Sequence, residues 1–155
     1  MRLKVLWPGR TKSAAVRDLE ALYLRRIGEL HPCEIIVTET ARGLDERASA
    51  KILEIEAKGL EKRFKDDYIV CLFDRGREMS SAEFARFLGE REASGVRTLT
   101  FIVGGFLGLA DRLLARADLR LSLSRMTLSH ELCRAVLLEQ IYRSLTLMKG
   151  RSYAK

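Results

Sequence analysis

The sequence predicts an α/β fold in which a mainly parallel sheet carries helices on both faces. Segments with strand character alternate with helical segments along the whole chain, in the order β-α-β-α-β-α-β-α-β-α. Two of the strand segments, residues 68–73 and 97–103, are short and almost continuously apolar, as is typical of central strands covered on both faces. With 155 residues, two prolines and no internal repeat, we expect one domain spanning residues 1–155.

The elements of the first half follow from local signals. A partly alternating run is stopped by Pro8-Gly9, and Ser13 and Asp45 are suitable helix caps. The predicted elements are a strand over 3–7, a helix over about 14–30, a strand over 33–37 and a helix that begins after Asp45.

In the second half, Ser80 and Glu83 have the spacing of a capping box, which predicts a helix that ends near residue 93. The remaining elements are the two apolar strands, a short helix over 109–115, a strand over 119–123 and a long helix over 131–148.

Three loops should meet at one edge of this sheet, because parallel strands end on the same side and ligands bind beyond their carboxyl ends. The loops are residues 74–76, 104–108 and 124–129. The third is polar and leads directly into the long helix, so we expect it to present backbone amides and hydroxyls to a small-molecule pocket.

The glycine loop Gly104–Gly108 does not have the G-x-G-x-x-G spacing of a dinucleotide fold, and no Walker lysine accompanies it. Two interpretations remain: close approach of backbone to a ligand, or a tight turn that needs positive φ.

No nucleophilic triad can be defined. Cys71 and Cys133 lie in apolar runs and are predicted to be core residues, and His130 is predicted to order the turn before the last helix. His31 is expected on the surface.

Composition narrows the class of protein. Three separate cysteines and two distant histidines predict reduced thiols, no metal site and a cytoplasmic setting, and we find neither a signal peptide nor a membrane span. The net charge is +7, and seven basic but two acidic residues lie between Arg120 and the end. This excess favours a polyanionic partner, nucleic acid first, although a solvated basic surface remains the alternative.

The long helix is apolar over more than half of its circumference, which predicts burial on two sides. We expect the second side to be the interface of a two-fold dimer. Glu139 and Arg143 lie four residues apart in the order that favours an ion pair. If the pair is exposed to solvent, it contributes little to stability. At the edge of a pocket, the same pair would orient the guanidinium toward a phosphate or a base.

Four segments together resemble the ribosomal RNA large subunit methyltransferase H family of the SPOUT superfamily. They are Phe101-Ile102-Val103-Gly104-Gly105-Phe106-Leu107-Gly108, Leu123-Ser124-Arg125-Met126-Thr127-Leu128-Ser129-His130, Glu139-Gln140-Ile141-Tyr142-Arg143 and Gly150-Arg151-Ser152-Tyr153. The resemblance covers essentially the whole chain.

The resemblance implies a SPOUT fold with a deep C-terminal trefoil knot, a homodimer, and methyl transfer from S-adenosylmethionine to N3 of a pseudouridine (position 1915 type) in 23S rRNA of the assembled ribosome. It implies that Arg143 and Tyr153 are catalytic. The implied cofactor pocket consists of Leu72, Phe73, Gly104, Gly105, Gly108, Leu123, Ser124, Arg125, Met126, Thr127, Leu128 and Ser129.

Two departures from the family pattern qualify this expectation. The family ends in Tyr-His, whereas Ala154 follows Tyr153 here, and Ser129 stands where the family has Pro. The missing imidazole leaves an alternative open: a non-catalytic ribosome-binding dimer with weakened or lost methyl transfer.

Overall fold

The computed structural model describes residues 1–151, apart from the side chain of Glu46. Its strands are β1 (Arg2–Pro8), β2 (Cys33–Thr38), β3 (Tyr68–Glu78), β4 (Thr98–Ile102) and β5 (Leu119–Ser122). Its α-helices are α1 (Ala14–Gly28), α2 (Ser49–Glu61), α3 (Ser81–Ala93), α4 (Asp111–Arg116) and α5 (His130–Met148), and a short 3₁₀ helix, Glu46–Ala48, precedes α2. The predicted alternation of strands and helices is confirmed.

The five strands form one sheet in the order β2-β1-β4-β3-β5, and all of its pairs are parallel. Val5 of β1 and Val70 of β3 both lie opposite Phe101 of β4, so three buried apolar residues from adjacent strands meet at the centre of the sheet. Because the strands run the same way, residues 72–75 of β3 and the loops after β4 and β5 come together at one edge.

Successive residues of each central strand enter different cores, which explains why these strands lack polar alternation. Val5, Val70 and Phe101 pack in a cluster with residues of α1, α3 and α5. The next residues along two of these strands, Cys71 and Ile102, belong to a second cluster, with α2 and α4.

The structure corrects some boundaries. The predicted loop 74–76 belongs to β3, which continues to Glu78 after a shift in register: Leu72 and Arg77 both pair with Leu121 of β5. Asp45 caps the 3₁₀ helix rather than α2, because its carboxylate accepts a hydrogen bond from the backbone N–H of Arg47 at 3.0 Å.

The structure confirms the predicted N-terminal caps of α3 and α1. The capping box is confirmed, since Ser80 N donates to Glu83 Oε2 at 2.7 Å and Glu83 N donates to Ser80 Oγ at 3.2 Å. Ser13 also caps α1 as predicted. His31, expected on the surface, has a side chain only 11% exposed and packs toward Glu92, 3.9 Å from its Nδ1.

Helix α5 is indeed buried on more than one side, but its own chain supplies much of the covering. It packs between α1 and α3 and against the sheet. Leu137, Leu138 and Ile141 are completely buried, whereas Leu132 and Leu147 are 42% and 47% exposed.

Among the helices of residues 1–151, none combines the length and the apolar composition that a membrane span requires.

Gly76 lies where β3 returns to β5, in contact with the β5 backbone. A Cβ atom placed on Gly76 would be 2.7 Å from both the carbonyl carbon and the oxygen of Arg120. Only a residue without a side chain allows the two segments to approach this closely.

We therefore expect Gly76→Ala to lower the free energy of unfolding by about 1–3 kcal/mol, because backbone must move to admit the methyl group. Urea denaturation at fixed protein concentration measures the change. The matched control is Gly28→Ala at the end of α1, where an added Cβ meets nothing within 4 Å. This control should be neutral or stabilising by up to about 1 kcal/mol. Equal stability of Gly76→Ala and the parent protein would contradict the prediction.

Candidate functional site

A cavity of about 630 Å³ opens at the carboxyl edge of the sheet, within the range of ~300–1,000 Å³ typical of ligand pockets. Three chain segments line it. They are residues 72–75 of β3, residues 103–109 after β4, and residues 121–130 from β5 to the start of α5; Asp111, Leu114 and Cys133 complete the lining, while Arg125 does not contribute to it.

The glycine loop forms a rigid two-residue turn with Phe106 and Leu107 at its tip. Gly108 N donates to Gly105 O at 3.0 Å, and Gly108 has a φ of +80°. A Cβ atom on Gly104 would lie 2.5 Å from the carbonyl carbon of Gly108. Both interpretations of the loop are thus compatible: it is a tight turn, and it exposes backbone to the cavity.

The third wall is the polar loop after β5. Ser122 Oγ donates to Ser124 O at 3.0 Å, and Ser124 Oγ accepts from Met126 N at 2.9 Å. Leu123 and Leu128 are half-buried beside these hydroxyls. The wall therefore offers backbone groups and hydroxyls next to apolar carbon, as predicted for this loop.

The end of this loop is held by the first turn of α5. Ser129 caps the helix, accepting a hydrogen bond from Leu132 N at 3.2 Å. Glu131 accepts from the backbone N–H groups of Lys12 at 2.6 Å and Ser13 at 3.1 Å. Those two bonds lower the pKa of the Glu131 carboxyl and attach α5 to the loop between β1 and α1.

Arg134, one turn further along α5, is 1% exposed. Its Nη1 donates to Thr11 Oγ1 at 2.8 Å and its Nη2 donates to Pro8 O at 3.0 Å. The guanidinium also lies over the indole ring of Trp7, 4.9 Å from the ring centroid. It therefore links α5 to the carboxyl end of β1 and the loop that follows it.

Carboxylates surround this guanidinium and compensate its charge. Burial lowers the pKa of Arg134, whereas the charges of Glu20, Glu131 and Glu56 oppose that shift. Burial raises the pKa of Glu20 and Glu56. Glu56 also lies behind the glycine turn, where a Cβ atom on Gly105 would come within 3.0 Å of its Oε2.

The imidazole of His130 lines the cavity and is held in its neutral form. Burial lowers its pKa first, and the nearby charges of Arg134 and Lys12 lower it further, against the effect of Glu131. An uncharged imidazole at neutral pH can donate and accept hydrogen bonds without repelling a cationic ligand.

The thiols are not candidates for nucleophiles. Burial raises the pKa of Cys71 to about 12 and raises that of Cys133 as well. Both therefore remain protonated at neutral pH. Cys71 is a core residue as predicted; Cys133 is only half-buried and lines the cavity, because α5 begins at the cavity wall.

Eleven of the twelve residues predicted for the cofactor pocket line one cavity: Leu72, Phe73, Gly104, Gly105, Gly108, Leu123, Ser124, Met126, Thr127, Leu128 and Ser129. Their role in binding a cofactor stays a prediction. The exception, Arg125, is an exposed side chain between two lining residues. Sequence reasoning missed Phe106 and Arg134: nothing in the pattern distinguishes Phe106 from a core aromatic residue or Arg134 from a solvated one.

Arg143 lies on α5, outside the residues that line the cavity. Its Nη2 and Nε donate to Glu139 Oε1 at 2.7 and 3.0 Å, which confirms the predicted pair. The two side chains are 26% and 20% exposed, so the guanidinium is oriented and half-buried. It is thirteen residues from His130, about 20 Å along the helix axis. Tyr153 lies outside the described residues.

The chain belongs to the SPOUT methyltransferase family, since residues 1–154 match the family described as "predicted SPOUT methyltransferase". Curated relatives align with the complete chain and are covered completely themselves. One from Lactococcus lactis subsp. cremoris (strain SK11) is 39% identical over 164 residues, and one from Streptococcus pneumoniae (strain CGSP14) is 38% identical over 159. Both are named "Ribosomal RNA large subunit methyltransferase H", which confirms the resemblance found in the sequence motifs.

Solved structures support the fold. A probable methyltransferase from Bordetella pertussis Tohama I superposes with a TM-score of 0.58 over 93% of this chain and 96% of its own, at 11% identity. The tRNA (m1G37) methyltransferase from Aquifex aeolicus gives 0.52 over 100% of this chain and 77% of its own, at 12% identity. At these identities the likeness concerns the fold alone.

We expect Arg134→Met to lower the free energy of unfolding by about 2–4 kcal/mol, because Pro8 O and Thr11 Oγ1 lose a buried donor. Arg17→Met is the matched control. Arg17 donates to carbonyl groups of the same loop, Thr11 O at 3.0 Å and Lys12 O at 2.7 Å, but its side chain is exposed. Its replacement should cost less than about 1 kcal/mol. Urea denaturation of both variants is the measurement, and equal losses would refute the structural role of Arg134.

Proposed function

We propose that this protein is an S-adenosylmethionine-dependent methyltransferase that modifies N3 of a pseudouridine (position 1915 type) in 23S rRNA on the assembled ribosome, in the cytoplasm. The observation that carries the proposal is the cavity: the glycine turn and the loop after β5, which carry the family motifs, form its walls together. The two full-length relatives named above support the rRNA substrate.

The cavity suits this cofactor chemically. Adenine is uncharged and is recognised by backbone amides and apolar walls, and the lining offers both, through Gly105, Leu72, Ser124 and residues 126–129. When bound, S-adenosylmethionine supplies a methyl group on a positively charged sulfur atom. The neutral state of His130 avoids repulsion of that charge.

Exposed cationic side chains surround the cavity, as a polyanionic acceptor requires. Arg75 on β3 and Arg125 in the third loop have side chains 82% and 86% exposed. Lys12 is close enough to lower the pKa of His130. Arg75 is itself part of the lining, which also carries Asp74 and Asp111, whereas Arg125 lies outside it. Both arginines offer positive charge to the phosphate groups of an RNA at the cavity.

Arg143 is proposed to stabilise the anion that forms when N3 loses its proton. The ion pair with Glu139 orients the guanidinium for such a contact. Arg143 lies ten residues, about 15 Å along α5, from Cys133 at the cavity of its own chain, so a two-fold dimer in which α5 packs against its copy offers a route to the cavity of the second subunit. The exposed side chains of Leu132 and Leu147 on α5 support such an interface. Tyr153 is proposed to contact the acceptor base.

We also propose that the C-terminal segment is threaded into a trefoil knot. Helix α4 packs on one face of the sheet and α5 on the other, so the chain after β5 must cross between them. Within β5, the backbone of Arg120 and Leu121 lies too close to Gly76 of β3 to admit a side chain there. In the proposed knot, the connection from β3 to α3 would form the loop around the threaded segment.

A non-catalytic ribosome-binding dimer is the second candidate, and Ala154 favours it. The family resemblance leads us to expect an imidazole beside Tyr153; if such a group removes the N3 proton, this chain lacks it, because Ala154 stands there. Calorimetry with S-adenosylmethionine comes first, since absence of binding would overturn the enzyme proposal.

Methylation of ribosomes that lack the modification then tests catalysis. We expect tritium from labelled S-adenosylmethionine to appear in 23S rRNA of intact ribosomes, and little on protein-free RNA, because a small basic domain makes too few contacts to select one nucleotide. Arg143→Ala should lower turnover by roughly 100-fold or more with cofactor affinity retained, and Arg143→Lys should restore it only partly.

The control for these variants is Arg116→Ala on α4, an arginine that donates to Lys65 O at 3.2 Å on the opposite face of the sheet. It should turn over normally. Normal turnover by Arg143→Ala would remove Arg143 from the mechanism, and equal labelling of protein-free RNA would overturn the ribosomal substrate.

A further inference from the structure

Phe106 is a large aromatic side chain that the structure leaves 54% exposed at the cavity. Single exposed apolar residues are ordinary on protein surfaces, so exposure alone indicates nothing. The position is informative. Among the exposed large apolar residues of the described chain, Leu19, Val37, Leu132 and Leu147 lie away from the cavity, whereas Phe106 and Met126 line it.

The turn that carries Phe106 is held by its own backbone and by the residues behind it. Gly105 and Gly108 are joined by a backbone hydrogen bond of 3.0 Å, and Gly104 lies against the Gly108 backbone. Glu56 fills the space behind Gly105. The aromatic ring is therefore presented from a rigid support, which keeps the entropy cost of a stacking contact small.

From these observations, and resting on the proposed function, we infer that Phe106 is a specificity-determining residue whose ring stacks on an unstacked nucleobase of the RNA at the cavity mouth. Bases in single-stranded or loop regions are bound in this way, with aromatic faces for the base and cations for the backbone. Arg75 on β3 and Arg125 in the loop after β5, both more than four-fifths exposed, lie on the two neighbouring segments where the RNA backbone would pass.

The test is equilibrium co-sedimentation with ribosomes that lack the modification, at one fixed salt concentration. Phe106→Ala and Phe106→Leu should raise the dissociation constant by about 5- to 100-fold, because neither offers a π face. Phe106→Trp should bind within about twofold of the parent protein. Val37→Ala, at 44% exposure on β2, is the apolar control and should not change binding.

Two results in this assay would contradict the inference. If Phe106→Leu binds ribosomes as tightly as the parent protein, an apolar side chain is enough and the stacking contact is wrong. If Phe106→Ala binds ribosomes as tightly as the parent protein, the ring makes no contact with the RNA. Calorimetry with S-adenosylmethionine should give affinities within about twofold for all variants, and a loss confined to cofactor affinity would make the ring a cofactor cover instead. A parent protein that binds ribosomes with this Phe106 dependence but transfers no methyl group overturns the proposed function and leaves the stacking inference standing. No ribosome binding at all overturns both.

Discussion

The hydrogen bonds from the buried guanidinium of Arg134 to Pro8 O and Thr11 Oγ1 connect the last helix to the first strand, and the geometry of the site depends on that connection. Glu131 adds two bonds to the same loop from the neighbouring turn. Together they fix the end of the polar loop at which α5 begins. Its other end is fixed by β5, pressed against Gly76 of β3. A loop held at both ends can maintain a cavity wall built from backbone and hydroxyl groups, which would otherwise adapt to solvent.

The cavity combines a largely apolar, hydroxyl and backbone lining with a few charged side chains. Its one imidazole is neutral, its charged residues are Asp74, Arg75 and Asp111, and Arg125 stands outside it. The apolar and backbone groups suit an uncharged ring system, whereas Arg75 and Arg125 offer positive charge to a polyanion. Membership of the SPOUT methyltransferase family agrees with these two kinds of contact. The proposal for Phe106 adds an aromatic contact at the boundary, where base and cofactor would meet.

The sequence was sufficient for the order of elements, for the caps of α1 and α3 and for the meeting of three chain segments at one edge, because each follows from local periodicity or from the geometry of parallel strands. It was wrong for Asp45, which caps the 3₁₀ helix rather than α2, and for residues 74–76, which belong to β3 rather than to a loop. It was insufficient where distant segments determine the outcome. The continuation of β3 past Asp74 results from pairing with β5, and the burial of His31 from packing toward Glu92. Arg134 has no local signal at all, since its partners are more than 120 residues away. The pocket residues were predicted from the family motifs, because hydrophobic periodicity does not show which side chains face a cavity.

A crystal structure of the protein with S-adenosylhomocysteine tests the central claim most directly. The account predicts that the adenine and ribose lie in the cavity of about 630 Å³, against the backbone of Gly105, Ser124 and residues 126–129, with His130 nearby. Occupation of a different site, or no bound ligand at saturating concentration, would contradict the assignment of this cavity to the cofactor.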